Sequence, residues 1–130
     1  MTVGNLHEAL YQTLTAKCPT VTWTQPKLER PEGVDIWGVI GFDGMPKHSL
    51  SDNHRQFVYF KLWLYMDTED ETLLTTVAEE AAVAVDDKLI SGDGTGKIRF
   101  ICTNISPVFW SEEYQQRGIM VSLRTLTTSI

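Results

Sequence analysis

The sequence predicts an α+β domain: an antiparallel or mixed sheet of four to five strands with two helices, in the order α-β-β-β-α-β-β. Three features carry that expectation. Gln56 to Met66 alternates with a period of two, Leu74 to Leu89 places its apolar residues three and four apart, and Lys97 to Thr127 returns to extended, β-favouring patterns on either side of a polar turn.

The first element is a helix. Asn5-x-x-Glu8 fits a capping box, Leu6, Ala9, Leu10, Thr13 and Leu14 form its apolar stripe, and Pro19 forbids continuation much beyond Lys17. Val21 to Thr24 is a short β-prone run, followed by a polar loop between Pro26 and Pro31. Val34 to Phe42 reads as the second strand, its Gly38 and Gly41 allowing a bulge or a close backbone approach. From Asp43 to about residue 55 the composition turns to Gly, Pro, Ser, Asp, Asn and His, which predicts a mobile loop.

In the central strand, Val58, Phe60, Leu62, Leu64 and Met66 share one face and are assigned to the core. The opposite face carries Phe57, Tyr59, Lys61, Trp63 and Tyr65, more aromatic than a solvated sheet face usually is. Thr68-x-x-Glu71 predicts the start of the second helix, with Leu74, Val77, Ala78, Ala81, Val85 and Leu89 turned inward and Gly92 as its C-terminal cap. Residues 91–96 then read as a flexible turn. Lys97 to Trp110 is taken as one extended run, Ser111 to Gln116 as a reversal, and Arg117 to Thr127 as the last strand of a hairpin.

Composition narrows the function. One domain spanning residues 1–130 is expected, long enough to bury a core without disulfides or metals. The net charge of -6, with basic residues scattered from Lys17 to Arg124, disfavours a nucleic-acid-gripping face. Cys18 and Cys102 have no metal-ligand spacing and read as ordinary thiols of a reducing cytoplasm. The first residues lack a signal-peptide pattern, and no apolar run reaches bilayer-spanning length.

No motif for chemistry survives inspection. Gly92 to Lys97 resembles a phosphate loop only superficially, because Ser91 and Ile98 stand at the positions of the first Gly and the hydroxyl, and a helix precedes it where a strand should. Asp86, Asp87 and Asp93 lack the pattern of a calcium loop. His48, Asp52 and His54 sit in a glycine- and serine-rich loop that offers no rigid frame for a metal. His7 reads as an exposed helix residue, and the pairs Glu79-Glu80 and Glu112-Glu113 as solubilising charge. Catalytic residues, cofactors and metals are therefore expected to be absent.

What remains is the aromatic surface. Phe57, Tyr59, Lys61, Trp63 and Tyr65, with Trp110 and Tyr114 on neighbouring elements, form the candidate subunit or partner interface, since aromatic side chains give large contact area at small entropic cost. Trp37 and Phe109 belong to the same aromatic surface, and the alternative is that the first helix or another strand of the same chain covers this face. Met45, Lys47, His48, Asp52 and His54 are the candidate contacts in the mobile loop.

The run Phe57-Val58-Tyr59-Phe60-Lys61-Leu62-Trp63-Leu64-Tyr65, its continuation Asp67 to Leu89, and the closing Arg117-Gly118-Ile119-Met120-Val121-Ser122-Leu123 resemble the tail terminator (tail completion) proteins of long-tailed bacteriophages. The resemblance covers nearly the whole chain and is one of architecture and pattern. It implies a virion subunit made in the host cytoplasm that forms a ring, a hexamer, at the head-proximal end of the tail. Its implied partners are its own copies, the tail tube protein and the head-tail connector, with DNA passing through ungripped and no membrane involved. That family carries no catalytic motif, so no functional residue is transferred. Another head-tail junction protein, or a small-ligand-binding or enzymatic α+β domain, are the alternative classes.

Overall fold

Strand β3 (Arg55–Met66) is the spine of the molecule, pairing antiparallel with β2 (Ile36–Gly44) on one side and with β7 (Gln116–Thr128) on the other. The computed structural model describes residues 3–24, 31, 33–44, 55–92 and 96–128. Beyond β2 lies β1 (Thr22–Thr24), which is parallel to it; beyond β7 lie β5 (Gly96–Ile105) and then β4 (Lys88–Gly92). The order is β1-β2-β3-β7-β5-β4, with β6 (Phe109–Ser111) also paired to β7. The α+β class and the mixed sheet stand as expected, with two short strands, β4 and β6, added to the five read from the sequence.

Helix α1 (Val3–Lys17) begins two residues before Asn5, which therefore lies inside its first turn and is not its cap. Leu6, Ala9, Leu10 and Leu14 are fully buried. His7 is half-buried and not simply exposed: its Nε2 lies 3.0 Å from the carbonyl oxygen of Ile40, occupying an acceptor of β2. Helix α2 (Glu71–Val85) is capped by Asp70, whose carboxylate accepts from the backbone N–H groups of Thr72 and Leu73 at 3.0 and 3.3 Å. Thr68, the expected cap, instead takes the N–H of Asp70 on its hydroxyl at 3.0 Å. A carboxylate at this position satisfies orphan donors and complements the helix dipole.

The second helix also ends earlier than the apolar spacing predicts. At Val85 the chain turns away through Asp86, whose carboxylate accepts the Cys102 N–H at 2.8 Å, and Asp87, which adopts a left-handed φ of 50°. Lys88 to Gly92 then pairs with β5, so Leu89 belongs to a strand and Gly92 caps nothing. Pairing with the strand that follows overrides the local helical pattern here. The expected run from Lys97 to Trp110 divides at residues 106–108. The expected turn at 91–96 is the β4–β5 connection, of which residues 93–95 lie outside the described residues.

Both helices cover one face of the sheet, whose inner row is Val58, Phe60, Leu62, Leu64 and Met66 on β3 with Ile119, Val121 and Leu123 on β7. Helix α2 lies against β3, β5 and β7, while α1 touches β1 and β2 at one edge and β4 at the other. The sheet therefore curls round the helix pair, and α1 spans the gap between its edges. Gly38 is the close approach its residue type suggested, for a Cβ there would stand 2.7 Å from the Trp23 ring. The bulge comes later, between Phe42 and Gly44, where Gly44 has a φ of 122°.

Candidate interaction surface

The outer face of the sheet, away from the helices, is built by register. Trp37 and Val39 of β2 lie beside Tyr65 and Trp63 of β3, which lie beside Gly118 and Met120 of β7; further along, Lys61 and Tyr59 stand beside Ser122 and Arg124. The two ends of this face differ. At one end a second apolar cluster forms from Trp37, Val39, Tyr65 and Tyr114, with Val34, Trp63 and Phe109 at its margin.

This cover comes from the hairpin between β6 and β7. Gln115 takes a left-handed φ of 52°, Tyr114 N–H donates to the Ser111 hydroxyl at 3.2 Å, and the turn folds the Tyr114 ring back onto the sheet. The rings of Trp37 and Tyr65 stack 4.8 Å apart, and Tyr114 meets both edge-on, also at 4.8 Å. Inside the cluster Trp37 Nε1 donates to Gln116 Oε1 at 2.8 Å. The Nε2 of Gln116, a side chain only 1% exposed, finds no partner among the described residues.

Tyr65 and Tyr114 were expected at an interface, and their positions correct that expectation. Each is 8% exposed and packed within its own chain, so neither ring is available to a partner. Alternation places Tyr65 on the outer face correctly; the hairpin then covers it. Burial, followed by the neighbouring Tyr114 and Glu113, pushes the Tyr65 phenol up to about 12. Tyr114 is raised as well, first by burial and then by Glu113. Because the unfolded chain ionises tyrosine near 10, the proton is held more tightly in the folded state. The associated stability is complete below about pH 10 and is lost as pH rises toward 12. Absorbance titration is therefore expected to show a late-titrating tyrosine, with the denaturation midpoint falling over the same range; four tyrosines titrating together near 10 without loss of fold would contradict it.

Phe109 lies across Gly118, its ring centroid 6.1 Å from Trp63 and 6.4 Å from Tyr65. A Cβ at Gly118 would meet two atoms of that ring at 2.7 Å. Gly118→Ala is expected to push Phe109 off the sheet and cost about 1–3 kcal/mol, the usual price of overpacking. A urea midpoint equal to that of the parent would show that the ring moves freely.

At the other end the outer face has no second layer among the described residues. Phe57, Tyr59, Lys61 and Trp63 are half-buried there, each partly open to solvent. Lys61 Nζ is 3.4 Å from the Asp43 carboxylate and 5.8 Å from the centre of the Trp63 ring. Arg124 lies 4.9 Å over the Phe57 ring. Trp110, on the rim, is 50% exposed and has the Arg117 guanidinium 5.9 Å from its ring. Arg124 escaped the sequence reading because only the pairing of Tyr59 with Arg124 brings it onto this face. The loop candidates Met45, Lys47, His48, Asp52 and His54 lie outside the described residues.

The described residues contain no group of three His, Cys, Asp or Glu side chains placed to hold a metal ion. Burial raises both thiols, Cys18 and Cys102, away from the reactive thiolate form. An open groove runs between the helices, lined by Lys17, Thr76, Glu79, Glu80, Val83 and Ala84. No described helix is long and apolar enough to cross a membrane.

No family model matches this chain, and no curated protein does. Solved structures do match its fold. A chain from the virion of a native gene transfer agent particle aligns with a TM-score of 0.75 at 14% identity, over 95% of this chain and 94% of that one. Another solved chain, whose name states no activity, aligns with a TM-score of 0.60 at 12% identity, over 98% of this chain and 94% of its own. At these identities the likeness is one of fold.

Proposed function

We propose that this chain is a structural protein of a phage-like virion, the subunit of a hexameric ring that caps the tail tube, ends tail polymerisation and offers a surface to the head. The observation that carries this reading is the whole-length match of its fold to a virion chain, in which nearly every residue of each protein is aligned. The open aromatic end of the outer face supports it, because that surface is of the composition used in protein contacts. In this reading the chain does no chemistry and binds no cofactor. Its partners are its own copies, the tail tube protein and the connector, and its surplus of negative charge suits a bore through which DNA slides.

The test is addition of the purified chain to polymerising tail-tube protein. Tubes are expected to stop growing and to show a capped end by electron microscopy. Unchanged tube lengths in the presence of excess chain would overturn the reading. The name of the matched particle specifies a virion and no position within it. Binding to connector protein with no effect on tubes would accordingly select a head-completion or connector role.

A further inference from the structure

The contact that joins the copies can be narrowed, on the reading that the chain self-assembles. Each copy carries a net charge of -6, so copies repel on average and meet most favourably where the sign reverses locally. It reverses on the open end of the outer face, where Arg124 stands over Phe57 and Lys61 over Trp63; the one carboxylate beside them among the described residues, Asp43 at 3.4 Å from Lys61, offsets only one of the two cations. At the opposite end of the same sheet the sign is negative. There the turn between β6 and β7 presents Glu112 and Glu113, both exposed, beside the half-exposed Trp110. Arg117, the cation nearest them along β7, is already engaged with the Trp110 ring and with the carbonyl of Thr68 at 3.1 Å.

Two outer faces packed back to back would oppose Lys61 and Arg124 with their own counterparts, a like-charge arrangement that disfavours a two-fold dimer. The geometry points to a different pairing: the open end of the outer face receives the β6–β7 turn of a second copy. Glu112 and Glu113 meet Arg124 and Lys61, and Trp110 lies against the aromatic row at Trp63. This contact joins two unlike patches, so it propagates from copy to copy and closes into a ring where the rotation allows.

Two charge-reversed chains test it, Glu112→Lys with Glu113→Lys, and Lys61→Glu with Arg124→Glu. Self-association is measured by sedimentation velocity and folding by circular dichroism. Each variant alone is expected to associate at least about tenfold more weakly than the parent chain. Mixed in equal amounts, the two should recover association to within about threefold of it, because each turn then meets a face of opposite sign. Recovery also shows that both variants are folded. If either variant alone associates like the parent, or if both fail and the mixture fails with them while the parent still assembles, this contact is wrong and the ring reading survives. A parent chain that stays monomeric both alone and on tail tubes overturns the two together.

Discussion

Leu62→Asp is expected to leave the chain unfolded at room temperature. Leu62 is fully buried on β3, between Ile40 of β2 and Val121 of β7, themselves fully buried, and beneath the helices. A carboxylate there has no cation among the described residues of the inner layer, and burying an unpaired charge costs several kcal/mol. The lost leucine adds about 2–3 kcal/mol. Together these approach or exceed the whole stability of a typical domain, about 5–15 kcal/mol. Loss of the far-UV circular dichroism signal is the readout. A folded Leu62→Asp chain would mean that the inner row of β3 is not the core.

Trp37→Ala carries the next largest expected effect. Trp37 is fully buried although it faces away from the helices, and its environment is made by Tyr65, Tyr114 and Gln116. Truncation removes both ring contacts and costs about 3–5 kcal/mol. It also strips the Gln116 amide oxygen of the Trp37 donor, while the amide nitrogen has no partner among the described residues. Trp37→Phe separates these effects: it retains most of the packing but loses the hydrogen bond, for about 1–3 kcal/mol. Urea denaturation of both variants measures the difference. A Trp37→Ala chain within about 1 kcal/mol of the parent would show that the second cluster contributes little.

The pair also marks what was legible in the sequence. The inner row of β3 follows from alternation alone, because once one of its side chains is inside, the period of two puts the rest there. The stripe of α1 was readable for the same local reason. Strand β4 was not, because the residues from Asp86 to Ile90 continue a helical spacing and are drawn into a sheet only by β5, a partner that local patterning does not reveal. The fates of Tyr65 and Tyr114 were likewise unreadable. Alternation says which way a ring points, whereas the covering layer depended on how the Ser111 to Gln116 reversal folds back. Arg124 is the third case: no spacing on β7 singles it out, and its place beside Tyr59 is a matter of strand register.

The placement of α1 between the two edges bears on how the molecule is made. Its partners in β4 are some eighty positions later in the chain, so a nascent chain leaving the ribosome presents this greasy stripe long before its final resting place exists. Contacts so distant in sequence slow folding. Docking of the amino-terminal helix is thus expected as a late step, visible in hydrogen exchange during refolding as protection gained in α1 after the paired strands β3 and β7. The same arrangement works as a clasp: until it closes, the apolar inner surface near both borders of the sheet stays open to a neighbouring nascent chain, and closing it separates orderly maturation from aggregation.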